Sequence, residues 1–297
     1  MNSRPATAPP PPAYWVGVDV GRTQITAGVF AGGLRFLGKF KKSTKPERGA
    51  GAVIARVARC VQDAMDECDL ALGDLAAVGV GVPGTVDGAG RVVSTRLGWE
   101  EAVWRTELEQ RLGARVRVEN VFNLGTLGVY TEECPERPRT FAAIFWGTDL
   151  GGGFCADGQL NAGFDGAAFA AVMAQGQQAI ARLVPPELSQ ARGRDLRKAL
   201  RRGDRAVTGF IREAAGIAGA AAASVVEQFA PEVLALGGGV MEEMKEEWMA
   251  VIEQAMRRTV PPGRTRLMAS ALGGNAAMYG GAVLAAQAGR ATEPPAR

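Results

Sequence analysis

The chain has 297 residues, enough for two ordinary domains or two lobes of one fold, and its 47% hydrophobic and 22% charged composition is that of a soluble globular protein with a sizeable core. A net charge of +3, from 34 Lys and Arg against 31 Asp and Glu, is too mild to mark a nucleic-acid binder. There is no histidine, so the commonest general base and metal ligand is excluded everywhere.

Residues 1–13 are rich in proline and alanine and lack an apolar h-region, so they read as a disordered tail and not as a signal peptide. The first ordered block is a strand over Tyr14–Val20, a turn at Gly21-Arg22-Thr23 and a second strand over Gln24–Phe30. A further turn at Ala31–Gly33 leads into Leu34–Lys41, which completes a β-meander. Val53, Ile54, Val57, Val61 and Met65 form a helical stripe over Val53–Cys68. Ala77–Val82 reads as a buried strand that stops at Pro83-Gly84. Glu100–Leu112 is predicted helical, Val116–Val118 extended and Leu124–Glu133 helical.

The second half repeats this plan. Phe141–Trp146 is a predicted strand, Gly147–Gly153 a glycine turn, and Phe154–Asp157 with Gln159-Leu160 a hairpin. Helices follow at Arg192–Arg202 and Asp204–Phe229, with Ala214–Val226 read as a buried stretch and not a membrane span. Val233–Leu236 is a buried strand ending in Gly237-Gly238-Gly239, then a helix over Glu242–Arg258, a strand over Arg266–Ala269 and a closing helix over Asn275–Gln287. The basic run between Arg192 and Arg202 is interspersed with acid and reads as a solvated helix face. Cys60, Cys68, Cys134 and Cys155 are scattered without a CxxC pair, which argues against zinc and disulfides and for a reducing cytoplasm.

Three glycine-rich stretches carry the candidate chemistry. In Asp19-Val20-Gly21-Arg22-Thr23, backbone amides and a threonine hydroxyl can cradle a phosphate, and Asp19 can hold Mg²⁺ through water. Gly147-Thr148-Asp149-Leu150-Gly151-Gly152-Gly153 has the same form at the equivalent place in the second half. Gly237-Gly238-Gly239 lies between a strand and a helix, where bare backbone admits a flat ring or a phosphate.

Together these stretches resemble the ROK family of bacterial sugar kinases and repressors, within the actin/hexokinase superfamily, over roughly Trp15 to Ala286. Val80-Gly81-Val82-Pro83-Gly84-Thr85-Val86-Asp87 is similar to the family's GVPGPVD signature, and Leu97-Gly98-Trp99 to the LxGW that follows it. Ala230-Pro231-Glu232 is similar to its NPE, and Leu272-Gly273 to the LG before its last helix. The resemblance implies an α/β fold of two duplicated actin-like, ribonuclease H-like lobes with an interlobe cleft. Its expected boundaries are residues 14–122, residues 123–274, a helix over 275–288 returning to the first lobe, and a tail over 289–297.

The departures from the family pattern concern the acceptor side most. An Asn-Asp-x-Asn run supplies the family's general base; here Asn120 and Asn123 match it and Val121 replaces the Asp. The family's AGExGH segment appears as Ala167–Val172, with Phe169 for the Glu and Val172 for the His that contact sugar. The cysteine-rich zinc motif is absent from 176–190, and Thr95-Arg96 replaces an Asn ahead of the LxGW. On the nucleotide side, Arg22 replaces a glycine, Gln24 a lysine and Asp149 a small residue. Glu119, two residues before Val121 on one strand face, and Asp165 are the acids that could replace the base, although both read better as solvated residues.

An acceptor site of Gly84, Asn120, Val121, Asn123, Phe169 and Val172 would be apolar, and hexose hydroxyls buried there would lack partners. The favoured expectation is a degenerate, cytoplasmic sugar-kinase-like protein that binds nucleotide or another ligand. Mg-ATP is its open cofactor, with no zinc, nucleic-acid or membrane partner, and a homodimer is suggested by the resemblance. The alternative is an active ATP-dependent sugar kinase with a non-standard acceptor site. A transcriptional repressor is the weakest reading, because only a dozen proline-rich residues precede the first strand.

Overall fold

The computed structural model describes residues 13–94, 97–147, 149–160, 166–188, 193–239, 242, 245–257, 261 and 263–290. The chain divides into two compact units, one of residues up to Glu119 together with those from Gly281, the other Asn120–Gly280.

The first unit is organised by valine alternation. In β1 (Tyr14–Val20), Val16, Val18 and Val20 are fully buried on one face, leaving Trp15, Gly17 and Asp19 on the other. β1 pairs antiparallel with β2 (Gln24–Ala31), which pairs antiparallel with β3 (Arg35–Ser43). Helix α1 (Ala50–Asp66) lays Val53, Ile54, Val57, Val61 and Met65 on the valine face. It starts slightly ahead of its predicted stripe, with Gly49 as its N-cap.

β4 (Leu75–Val82) runs parallel to β1, and its Val78, Val80 and Val82 join the same core. The opposite face of this pair carries Gly17 and Gly79, and Gly281 packs onto both. A Cβ at Gly79 would run into the Gly281 carbonyl, so two glycines are needed for that approach. The five-stranded sheet has the order β3-β2-β1-β4-β8, with β8 at Arg115–Asn120.

A second, three-stranded sheet of β5 (Thr85–Val86), β6 (Arg91–Ser94) and β7 (Trp99–Val103) is antiparallel throughout. This corrects the helix expected from Glu100, because only α2 (Trp104–Leu112) is helical there. Trp99 and Trp104 stack at 5.2 Å, and this pairing of two large rings holds β7 against α2.

The second unit repeats the sheet order. β9 (Thr140–Trp146), β10 (Leu150–Ala156), β11 (Gln159–Leu160), β12 (Val233–Gly237) and β13 (Arg266–Ala269) form the order β11-β10-β9-β12-β13. As in the first unit, the opening strand is antiparallel to the second and parallel to the fourth. The duplication expected from the sequence is therefore a duplication of topology.

Two helix layers cover this sheet. α3 (Val121–Glu133) packs on β9 and β10, and α4 (Gly166–Leu183) on β10. The sequence reading placed no helix at α4, because its alanine-rich stripe has few large apolar residues to mark a face. α6 (Arg205–Phe229) packs against α4 and against α7 (Lys245–Arg257), and the short α5 (Gly193–Arg201) packs on α6. α6 is long and apolar enough to cross a membrane by length and composition, but Ala214, Ala215, Ala218, Ala222, Val225 and Val226 are buried in the core. Asp204 caps its start by accepting from the Val207 amide at 3.1 Å. The closing helix α8 (Ala276–Arg290) has its Gly280 against the Leu124 carbonyl of α3.

Candidate functional site

The first glycine hairpin is a tight turn between β1 and β2, held from below. Gly21 N–H donates to the Gln24 carbonyl at 2.9 Å, and a Cβ at Gly21 would crowd that same oxygen. Fully buried Thr44 donates its hydroxyl to the Gly21 carbonyl at 2.6 Å and its amide to the Thr23 carbonyl at 3.0 Å. Arg22 and Thr23 are left exposed at the tip. The turn therefore uses the Gly21 amide internally, so this one is no donor to a phosphate.

Asp19 sits one row below the turn, in register with Thr26 on β2 and Gly81 on β4. Burial raises its carboxyl from 3.8 to about 7, against an opposing pull from the Lys41 ammonium. Thr26 is in turn in register with Lys41 on β3, so Lys41, Thr26, Asp19 and Gly81 make one row on one face of the sheet. A carboxylate that is costly to ionise alone is suited to holding a hydrated divalent cation, whose charge repays the desolvation.

In the second unit, the β9–β10 turn is closed by the Gly147 N–H donating to the Asp149 carbonyl at 3.0 Å. Thr148 lies outside the described residues. The predicted glycine turn is shorter than expected, because Leu150 already pairs with Trp146 and Gly151, Gly152 and Gly153 lie in β10. Their missing side chains are filled from both faces. A Cβ at Gly151 would run into the Phe122 ring, and one at Gly153 would sit 2.7 Å from Thr126 Oγ1 and 2.8 Å from Asn123 Oδ1. On the other face, a Cβ at Gly152 would run into the Ala143 carbonyl and lie 3.0 Å from Phe169. These glycines let α3 and α4 approach the strand closely, a packing role that their sequence pattern did not distinguish from phosphate binding.

Gly237 ends β12, the strand beside β9, and Gly238 and Gly239 follow it. Gly238 has φ +94 and a Cβ there would run into the Trp146 backbone, so a side chain is excluded twice over. Gly239 is open, and its amide lies 3.9 Å from where a Gly147 Cβ would be. The Glu242 amide donates to the Gly238 carbonyl at 3.1 Å. Gly147 and Gly239 thus come together as bare backbone at one corner of the sheet, which can accept a flat ring or a phosphate.

The Asn120–Asn123 segment is a helix start. Asn120 is the N-cap of α3, its Oδ1 accepting from the Phe122 amide at 2.8 Å and the Asn123 amide at 3.4 Å. Val121 is the first helical residue, half-buried. The extended path that would set Glu119 and Val121 on one strand face is absent, because β8 ends at Asn120 and the backbone turns. Asp165 lies outside the described residues, as do Thr95 and Arg96.

Phe169 departs most from its expected place. It is 3% exposed, in the core, with its ring 5.7 Å from Phe229, and Val172 is packed against the same core. Phe169 is enclosed in this interior, and Val172 is half-buried beside it. Gly84 has φ +145 and backs onto the Val93 carbonyl, a conformation and a contact that both require glycine at the end of β4.

The pattern of the ROK family matches residues 15–172 and 167–288. The chain belongs to the ROK family. Among ROK relatives, it is 27% identical over 317 residues to the glucokinase of Streptomyces coelicolor, covering 91% of this chain and 96% of that protein. It is 26% identical over 157 residues to the glucokinase of Halalkalibacterium halodurans, and that match spans about half of the relative, 48% of its length. The crystal structure of a ROK glucokinase from Streptomyces griseus, in complex with glucose and AMPPNP, superposes with a TM-score of 0.74 at 27% identity, covering 93% of this chain and 100% of that one. The fold is that of ROK sugar kinases, with two actin-like lobes.

Sequence reasoning missed Thr44, Phe122, Thr126 and Lys41. Only Lys41 left a signal, since Lys39 and Lys41 alternate along a strand. Among the described residues, no three Cys, Asp or Glu side chains converge as metal ligands.

Proposed function

We propose that this ROK protein binds a Mg²⁺-nucleotide and does not phosphorylate a hexose, so that it acts by binding and not by turnover. The observation that carries the proposal is Val121, the first residue of α3, immediately after the capping Asn120. The family resemblance gives this position to the general base, and an alkyl group there can accept no proton. General-base catalysis contributes about 10²–10⁴-fold in rate, and the loss is not offset by Glu119, since strand and helix part at Asn120.

Two further features support the reading. Phe169 stands where the resemblance expects a sugar-contacting Glu, and it is turned into the core against Phe229, so that position offers a sugar no polar atom. Asp19 lies beneath a pinned turn, and Gly147 and Gly239 form a bare corner, a pair of features suited to phosphate and nucleotide. The Streptomyces griseus glucokinase, crystallised with glucose and AMPPNP, supports the ligand class.

A second reading, an active sugar kinase with a non-standard acceptor site, is favoured by the near full-length similarity to the Streptomyces coelicolor glucokinase. Calorimetric titration with Mg-ATP, with and without a panel of hexoses, separates the two. ATP binding with no heat from any sugar is the expected result. ATP binding strengthened by one sugar, with release of ADP, would replace the proposal by the second reading.

A further inference from the structure

The row that contains Asp19 continues across β2 to a cation that no motif marks. Asp19 pairs with Thr26, and Thr26 pairs with Lys41, so all three side chains emerge on the same sheet face. Two strand spacings separate the Cα atoms of Lys41 and Asp19, about 10 Å, with Thr26 between them, so a phosphate or hydrated ion bridging ammonium and carboxylate would lie over the Thr26 position. Lys41 is exposed, at the edge of the sheet.

Its neighbours are placed differently. Lys42, one residue on, points to the opposite face, where its Nζ is 2.7 Å from Asp63 Oδ2. Lys39 shares the face of Lys41 but pairs with Gly28, one row further from the turn, about 6.7 Å along the strand. Gln24 opens β2 opposite Ser43, which makes it the diagonal neighbour of Lys41 on the turn side. Diagonal positions lie about 7–8 Å apart, within reach of long side chains, so a cation at 24 or at 41 can serve the same spot.

We propose that Lys41 is a phosphate-positioning residue, whose ammonium supplies the positive charge beside Asp19 that draws the terminal phosphates of a Mg²⁺-nucleotide to the β1–β2 turn. The need for it is electrostatic. A polyphosphate approaching a half-buried carboxylate is repelled by it, and a hydrated Mg²⁺ with one fixed cation balances the charge. The Lys41 charge already acts on the Asp19 carboxyl, which places the two within electrostatic reach. The inference rests on the nucleotide-binding reading above and assigns its phosphate contact.

The test is titration of Mg-ATP and of Mg²⁺ with inorganic tripolyphosphate into the full chain and four variants: Lys41→Gln, Lys41→Arg, Lys39→Gln, and Lys41→Gln combined with Gln24→Lys. Lys41→Gln is expected to weaken both ligands about tenfold or more, as befits loss of a charge-assisted contact. Lys41→Arg and the Gln24→Lys double variant should recover most of the loss, and Lys39→Gln should change affinity less than about twofold. Equal, small effects of Lys41→Gln and Lys39→Gln, with tight binding by the unaltered protein, would overturn the Lys41 assignment and leave the nucleotide reading standing. An unaltered protein that binds neither ligand would overturn both. All variants should melt together, because Lys41 is exposed.

Discussion

Thr44, fully buried just after β3, donates its hydroxyl to the carbonyl oxygen of Gly21 at 2.6 Å. With the Thr44 amide donating to the Thr23 carbonyl at 3.0 Å, this bond ties the end of the third strand to the turn above Asp19. Thr44→Val keeps the shape and leaves the Gly21 carbonyl without that partner. The expected cost is about 1–3 kcal/mol of stability by urea denaturation, together with weaker Mg-ATP binding. A variant with unchanged stability would show that water replaces the hydroxyl.

Asp19 makes stability depend on pH. Its folded value of about 7 lies above the ordinary 3.8, so the fold favours the protonated acid. That contribution is complete below about pH 4 and is lost as pH rises through about 7. Asp19→Asn does not titrate. In metal-free buffer it should match the parent near pH 4 and become the more stable of the two by pH 8, measured by denaturant midpoints. A difference independent of pH would mean that the carboxyl is better hydrated than its surroundings indicate.

Val121→Asp should fold normally, since an acid in the first turn of α3 complements the helix dipole by about 0.3–1 kcal/mol. It should nevertheless give no glucose phosphorylation in a coupled assay, because Phe169 stays in the core and offers no hydroxyl partner. Measurable turnover by this single variant would overturn the reading of the acceptor site as unable to hold a hexose.

The β10 glycines separate packing from binding. Gly152→Ala forces a methyl against the Ala143 carbonyl and toward Phe169, and should cost about 1–3 kcal/mol. Gly239→Ala meets nothing within 4 Å, so it should leave stability nearly unchanged and alter nucleotide affinity instead. Calorimetry and thermal melts on the pair would reveal a reversed order.

Much of this was legible in the chain. The valine alternation of β1 and β4, the α1 stripe and the repeated strand–turn–strand opening are local periodicities, and each matches an observed element. The identity of Val121 is likewise a property of one position. The β7 strand was read as helix because Trp99–Val103 has no periodicity of its own and is extended only by pairing with β6.

What the sequence determined by itself is therefore the central strands of both sheets, the places where glycine turns break them and the absence of an acid at 121. Tertiary structure decided what those residues face. It gave Gly151 and Gly152 to helix packing, turned Phe169 inward onto Phe229, and brought Lys41 across two strands to the row of Asp19. Cross-strand register and the far side of a sheet are set by partners distant in the chain, and no local pattern encodes them.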